Sequence, residues 1–261
     1  MSIQDDFSLL LSHARDLCER AESGVVTYTE FLTPAEQLRL THSLCAHDCL
    51  LFDGGYAAAQ RRRLFFLPPY MAGAHEALLE EWLADIRADS LVALEIRGSS
   101  FRELAHKDYL GAILNLGIER CAVGDVCVTG PFTAILFCGS VISKFLIEHL
   151  TRVANDAVRV EPFHVPADFD GGRTFLPIHD TVASARADAV VAALAGVSRE
   201  RACELLRRGL VEIDYEPWDK PDRPVTEGCV IVIRGKGKFV IRSLSDTTKK
   251  GRIRLSADKY M

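Results

Sequence analysis

The last eighty residues change hydrophobic period within a few positions, and that change leaves few folds open. Val190, Val191, Leu194 and Val197 recur at helical spacing, so one stripe of a short helix faces a core. Ser198 is a good N-cap for a second helix, and Gly209 stands where a helix C-terminal glycine belongs. Ala202, Leu205 and Leu206 supply that helix's apolar side, and Arg201, Arg207 and Arg208 its polar side. The period then drops to two. Val211, Ile213 and Tyr215 alternate with Glu212 and Asp214. Apolar runs at Cys229–Ile233 and Phe239–Ile241 flank Arg234-Gly235-Lys236-Gly237-Lys238, which predicts a β-hairpin. Arg252-Ile253-Arg254-Leu255 alternates again, with both arginines on one face.

Charge is unevenly placed. Residues 182–261 carry 16 Lys and Arg against 11 Asp and Glu, a balance of +5, while the whole chain stands at −5. Residues 1–181 therefore hold 15 basic and 25 acidic side chains, a balance of −10. A basic module on an acidic body predicts a positioned polyanion site rather than general adhesion. The candidate contacts are Arg186, Ser198, Arg199, Arg201, Arg207, Arg208, Arg234, Lys236, Lys238, Lys249, Lys250, Arg252 and Arg254. Arginine forks match paired phosphate oxygens, and a helix start at Ser198 adds backbone donors. The plainer alternative is a surface that only keeps a small domain in solution. Clustering at a helix start, a hairpin and a terminal strand favours the site.

Other classes are narrowed by what the chain lacks. No run of about 18 apolar residues exists, so no membrane helix is expected. Met1-Ser2-Ile3-Gln4-Asp5-Asp6 is acidic and without a signal-peptide charge pattern, which predicts a cytoplasmic protein. Eight cysteines are scattered without a CxxC pair, and most lie in apolar stretches that suit reduced, buried thiols. His42, Cys45, His47 and Cys49 crowd into one short segment. One helix or strand cannot easily turn all four toward a zinc ion, so a partly buried helix end is the favoured reading over a metal site. Gly235-Lys236-Gly237-Lys238 lacks the spacing of a phosphate loop, and no dinucleotide, methyl-donor or GxSxG pattern occurs. No cofactor is expected.

The fold class predicted is α+β in three parts. Residues 1–59 are mostly helical: Phe7, Leu10, Leu11, Ala14, Leu17 and Cys18 form one stripe, and Thr33-Pro34 opens a helix from Ala35 to about Ala46. Residues 60–167 mix periods. Strands are predicted at 62–67, 91–96, 126–128, 134–138 and 158–165, and helices at 75–88, 106–117 and 141–153. With the 106–117 helix set aside, the order has one strand more than β-α-β-β-α-β, and the fold expected is a ferredoxin-like or RNA-recognition-motif-like sandwich. Residues 168–173 predict a linker, and residues 182–261 the basic domain.

The 106–117 helix is expected to present a second contact surface with Arg102, Lys107 and Arg120. His106 sits at its loop junction, where packing or a phosphate contact is favoured over catalysis. Gly111 and Gly117 fall in this helix, and a helical glycine costs about 1 kcal/mol against alanine. Close approach of RNA or of the neighbouring sheet would explain them.

The basic domain resembles the RNA-binding domain named after the fourth small-subunit ribosomal protein, the S-four (alpha-L) domain. Several blocks together resemble the YlmH family of bacterial S-four proteins. They are Thr29-Glu30-Phe31-Leu32-Thr33-Pro34-Ala35-Glu36-Gln37; Phe52-Asp53-Gly54-Gly55-Tyr56 with Arg61, Arg62 and Arg63; and His106 to Arg120, closed by Gly124-Asp125. The last is the C-terminal domain, ending Thr247-Thr248-Lys249-Lys250-Gly251-Arg252. The resemblance spans nearly the whole chain. It implies a non-catalytic partner of large-subunit rRNA, with tRNA and other quality-control factors as further partners, in handling stalled nascent chains. It also implies a link to cell division through gene neighbourhood. Two positions depart: Ala187 replaces a leucine, and Asp214, between Glu212 and Glu216, replaces an asparagine. The competing class is an RNA-modifying enzyme, a pseudouridine synthase or methyltransferase, which requires a catalytic domain that residues 1–181 do not announce.

Overall fold

The structure, a computed structural model, describes residues 3–44, 50–71, 76–248 and 251–260. Helices and antiparallel sheets divide between two compact units, Met1–Gly172 and Arg173–Met261. The α+β class is therefore observed.

The first unit opens with α1 (Ile3–Glu22), β1 (Thr27–Tyr28), α2 (Pro34–Ser43), β2 (Leu50–Asp53) and β3 (Arg63–Phe66). Thr33 caps α2 as expected. Its hydroxyl accepts the Glu36 N–H, and the Glu36 carboxylate accepts the Thr33 N–H at 2.6 Å, a reciprocal box that satisfies two orphan donors. Strand β3 is the middle of a three-stranded antiparallel sheet, β1-β3-β2. Ala14 and Leu17 of α1 and Leu40 of α2 pack on Leu64 and Phe66 of that strand. The expected boundary at residue 60 is thereby corrected. It would cut between β2 and β3, whose pairing runs from Leu50 opposite Phe66 to Asp53 opposite Arg63. Cys45, His47 and Cys49 lie outside the described residues.

The unit continues through α3 (Glu76–Ser90), β4 (Val92–Gly98), α4 (His106–Asn115), β5 (Val123–Gly130), β6 (Thr133–Cys138), α5 (Ser140–His149), β7 (Arg152–Val153) and β8 (Asp156–Pro162). The sheet order is β5-β6-β4-β8-β7, all pairs antiparallel. Strands β4, β5, β6 and β8 with α4 and α5 make a β-α-β-β-α-β arrangement. The elements filling it differ from the expectation. The first strand is β4, not residues 62–67. The first crossover helix is α4, the one set aside, while α3 precedes the motif. Periodicity could not show this, because only burial decides which helix covers the sheet. Tyr109 and Ile113 of α4 and Leu146 of α5 pack on Leu94, Ile96, Leu136 and Val160.

Asp125 on β5 ties the parts of this unit together. Its carboxylate accepts the Tyr56 hydroxyl at 2.7 Å and the backbone N–H groups of Gln60 at 2.7 Å and Arg61 at 3.0 Å. The Arg61 guanidinium donates to the carbonyls of Phe31 and Val123 at 2.7 and 3.2 Å. Gly124 is required beside it, since a Cβ there would lie 2.8 Å from the Phe31 ring. Asp53-Gly54-Gly55-Tyr56, Arg61 and Gly124-Asp125 thus build a joint.

The second unit comprises β9 (Phe175–Val182), α6 (Ala187–Ala195), α7 (Arg199–Arg207), β10 (Val211–Ile213), β11 (Glu216–Pro217), β12 (Val230–Ile233), β13 (Gly237–Thr247) and β14 (Ile253–Tyr260). Its six-stranded antiparallel sheet runs β11-β10-β12-β13-β14-β9. The domain starts earlier than the expected residue 182, because β9 pairs with β14 from Phe175 opposite Tyr260 to Val182 opposite Ile253. Pro177 hides this strand in the sequence; proline is tolerated here because β9 is an edge. Helices α6 and α7 cover the sheet through Val190, Val191, Leu194, Ala202 and Leu206.

Asp125→Ala removes the acceptor of the Gln60 and Arg61 N–H groups and of the Tyr56 hydroxyl, which keeps the Cys127 sulfur at 3.3 Å, and an unsatisfied donor costs about 1–3 kcal/mol. The expected outcome in chemical denaturation is a loss of about 3 kcal/mol or more for the first unit; a loss within error would show that the joint holds nothing.

Candidate nucleic-acid interface

The start of the basic domain is organised around Asp188, in the first turn of α6 and only 4 % exposed. Arg199, the first residue of α7, forks onto it, its Nε and Nη2 donating to the two carboxylate oxygens at 3.0 and 3.1 Å. Arg186 reaches the same carboxylate at 3.4 Å. Burial pushes the Asp188 carboxyl up, but the Arg199 bonds and charge, Arg186 and a backbone N–H together hold it below the ordinary value. Two of the expected phosphate contacts are thus tied to a buried carboxylate, each with about half of its side chain exposed. The Ser198 hydroxyl is likewise engaged, accepting the Arg201 N–H at 3.2 Å as the α7 cap. Arg201 is paired with Glu204.

The other end of α7 differs. Arg207 and Arg208 are exposed at its last turn, where the helix dipole favours cations. The Arg234 N–H donates to the Leu210 carbonyl at 2.9 Å, and Val211 pairs with Ile233, so the β12–β13 hairpin tip lies beside this helix end. That tip carries Arg234 and Lys236, both exposed. None of these four side chains has an ion-pair or hydrogen-bond partner among the described residues. Lys238 sits over the Tyr215 and Tyr260 rings, 4.9 Å from each centroid, and its ammonium donates to the Tyr215 hydroxyl. Arg252 is turned onto the Thr181 hydroxyl and carbonyl, fastening the β9 edge. Arg254 projects from β14 on the opposite side from buried Leu255. Lys249 and Lys250 lie outside the described residues.

In the first unit the expected second surface is split. Lys107 is exposed and without a partner among the described residues. Arg102 donates to Asp108 at 3.1 Å, while Asp108 caps the start of α4 by accepting the Ala105 N–H at 2.9 Å. Arg120 is a correction: its Nη1 donates to the carbonyls of Val123 and Gly124 at 2.8 and 3.0 Å, and burial, then the charge of Arg61, lowers it to about 10. It belongs to the joint, and the sequence could not reveal that its partners were backbone carbonyls. His106 is held below the ordinary imidazole value by partial burial and then by Arg120.

Residues 90–166, which contain the β-α-β-β-α-β motif, match a family model described as "Putative RNA-binding domain in YlmH". A Bacillus subtilis protein named ribosome-associated protein quality control protein P2 is 30% identical over 234 residues, covering 88% of this chain and 86% of that protein. This chain belongs to the YlmH family. A solved structure titled cell division protein ylmH from Streptococcus pneumoniae is similar at 19% identity, with a TM-score of 0.47, covering 63% of this chain and 93% of that one.

Membership in the YlmH family makes the departures worth placing. Asp214 and Tyr215 form the β10–β11 turn with φ of 50° and 67°, a conformation that suits Asn or Asp. The Asp214 carboxylate accepts the Val230 N–H at 2.8 Å, so it faces the hairpin rather than an RNA surface. Glu212 and Glu216 stay exposed, on the β10–β11 edge. Ala187 is fully buried in the helix–sheet core.

Arg199→Ala should leave Asp188 held chiefly by Arg186. Breaking a fully buried pair costs about 3–5 kcal/mol, and half exposure of the guanidinium reduces the expected loss to about 1–2 kcal/mol. The folded-state value of Asp188 is lowered, so this contribution is whole above its ordinary value of 3.8 and fades as pH falls through the lower folded value. Denaturation midpoints of wild type and variant should therefore converge in acid. A constant gap down to the lowest accessible pH would break the assignment.

Proposed function

We propose that this chain is a non-catalytic RNA-binding protein of the large ribosomal subunit, acting on stalled nascent chains in ribosome-associated quality control. The reading that the C-terminal unit is an S-four domain is supported by its two short helices, its hairpin and its +5 charge. The observation that carries the proposal is the convergence of Arg207, Arg208, Arg234 and Lys236. Four cations without an ion-pair or hydrogen-bond partner among the described residues are presented by the end of α7 and by a hairpin that is bonded through its backbone to Leu210, just beyond that helix, and to β10. A duplex RNA groove presents phosphates at a fixed spacing, and cations whose backbone positions are fixed relative to one another can meet several of them at once, with only the side chains left to order. The name of the Bacillus subtilis relative supports the ribosomal setting, and a peptidyl-tRNA still held by the large subunit is the proposed substrate of the complex. Partners are rRNA, tRNA and other quality-control factors, in the cytoplasm; among the described residues no helix is long and apolar enough to cross a membrane.

Sedimentation of tagged protein through a gradient tests this. Wild-type chain should travel with large subunits and bring peptidyl-tRNA with it. The triple variant Arg207→Glu, Arg208→Glu, Arg234→Glu should stay at the top of the gradient while still unfolding cooperatively, its thermal midpoint lowered only by the acids placed at the α7 C-terminus. Unaltered co-sedimentation of the folded variant would remove this surface from the binding site. The same purified protein, incubated with rRNA with and without a methyl donor, should yield no new modified base by mass spectrometry. A stoichiometric modification dependent on His106 would make the protein an enzyme.

A further inference from the structure

Gly111 lies in the interior of α4, where a glycine costs about 1 kcal/mol against alanine. Helical glycines are usually explained by a neighbour that passes too close for a side chain. Here that explanation fails: a Cβ built on Gly111 meets nothing within 4 Å. Its conformation gives no reason either, since its φ is not positive, unlike Gly117, which ends the helix at φ +83°. Among the described residues nothing accounts for the missing side chain.

What lies in front of Gly111 is a groove of 460 Å³. Lys107, Gly111 and Asn115, spaced at i, i+4 and i+8 along α4, form one wall. His149, Thr151 and Arg152, at the end of α5 and the start of β7, form the other. The charge is mainly positive. Lys107 and Arg152 bring positive charge from opposite walls, Arg152 also donating to the Asn155 carbonyl at 3.3 Å, and the acid that lines the groove, Asp108, is paired with Arg102 and lies in the field of Lys107. Asn115 and Thr151 add neutral groups able to bond hydroxyls as well as phosphate oxygens.

We propose that this groove takes an RNA sugar–phosphate backbone, with the strand passing directly over the bare helix at Gly111 and its phosphates held between Lys107 and Arg152. The inference rests on the RNA-binding reading above and adds to it a second contact, in the first unit. A side chain at 111 fills the space the strand occupies, and the lost helix stability is what keeps the groove open. Phosphate contacts position a protein without specifying sequence, so two such sites on one chain select the location where both are met.

Two properties of one substitution should therefore move in opposite directions. In the full-length chain, Gly111→Ala should raise the thermal midpoint, and Gly111→Gln should not lower it, because both residues favour helix and point into open space. Binding is read with purified large ribosomal subunits and, separately, with a fluorescein-labelled RNA stem-loop. Both variants should bind large subunits about ten-fold more weakly, and Lys107→Glu with Arg152→Glu should do the same and flatten the salt dependence by about two contacts. If wild type binds and the glycine variants bind equally well, the groove is not a contact, while the RNA-binding reading stands. If Gly111→Ala lowers the thermal midpoint, the glycine has an internal role and the inference is wrong. If wild type binds neither RNA, the functional reading and this inference fall together.

Discussion

Asp188 is almost completely withdrawn from water, and a carboxylate in that position must be compensated or protonated. Compensation comes from Arg199, at the head of the next helix, and from Arg186, just before its own. The pair therefore does more than neutralise a charge. It fixes the first turn of α7 against the first turn of α6, with Gly196 in a left-handed conformation allowing the tight reversal between them. Once α7 is set at its start, its far end is set too, and Leu205 and Leu206 carry it down onto the sheet. The position of Arg207 and Arg208 beside the β12–β13 hairpin follows from a bond made at the opposite end of the helix.

Arginine serves two separate purposes along this chain. Arg61 and Arg120 hold backbone carbonyls in the joint of the first unit, and Arg63, nearly buried, lies over the Tyr28 and Phe31 rings. A planar group with several fixed donors suits such work, where a lysine would leave carbonyls unmet. Arg207, Arg208 and Arg234 have no such duties among the described residues. Only charges left unpaired inside the molecule can release counterions from a polyanion at full strength. Of the cations in the sequence, the useful fraction is thus decided by what the fold has already claimed.

The middle of the chain shows the same economy with glycine. Gly55 and Gly124 are required by neighbours, Phe137 and Phe31, that come within 3 Å of where a Cβ would stand. Gly117 is required by a positive φ at a helix end. These positions lie in the blocks by which the family is recognised, so much of that pattern records packing. It identifies the fold that carries the site more directly than the site itself.

The α+β class, the pair of short helices at 187–207, the hairpin around Gly235 and the charge division between the two ends of the chain were legible in the residues alone. Those properties are local: periodicity, caps at Thr33 and Ser198, and net charge need no knowledge of distant partners. The sequence also carried enough of the family pattern in 29–37, 52–63 and 106–125 to predict membership. Which strand begins the central sheet, the grouping of residues 63–66 with the N-terminal helices, and the completion of the C-terminal sheet by β9 emerged from the folded chain. Those are choices of partner, made by buried area and edge pairing, and a proline-containing edge strand such as Phe175–Val182 gives no period to follow. The interface divided on the same ground. An arginine looks the same in sequence whether it meets a buried carboxylate, a carbonyl or water. Arg199 and Arg120 could be separated from Arg207 and Arg208 only by the atoms within bonding distance of each guanidinium.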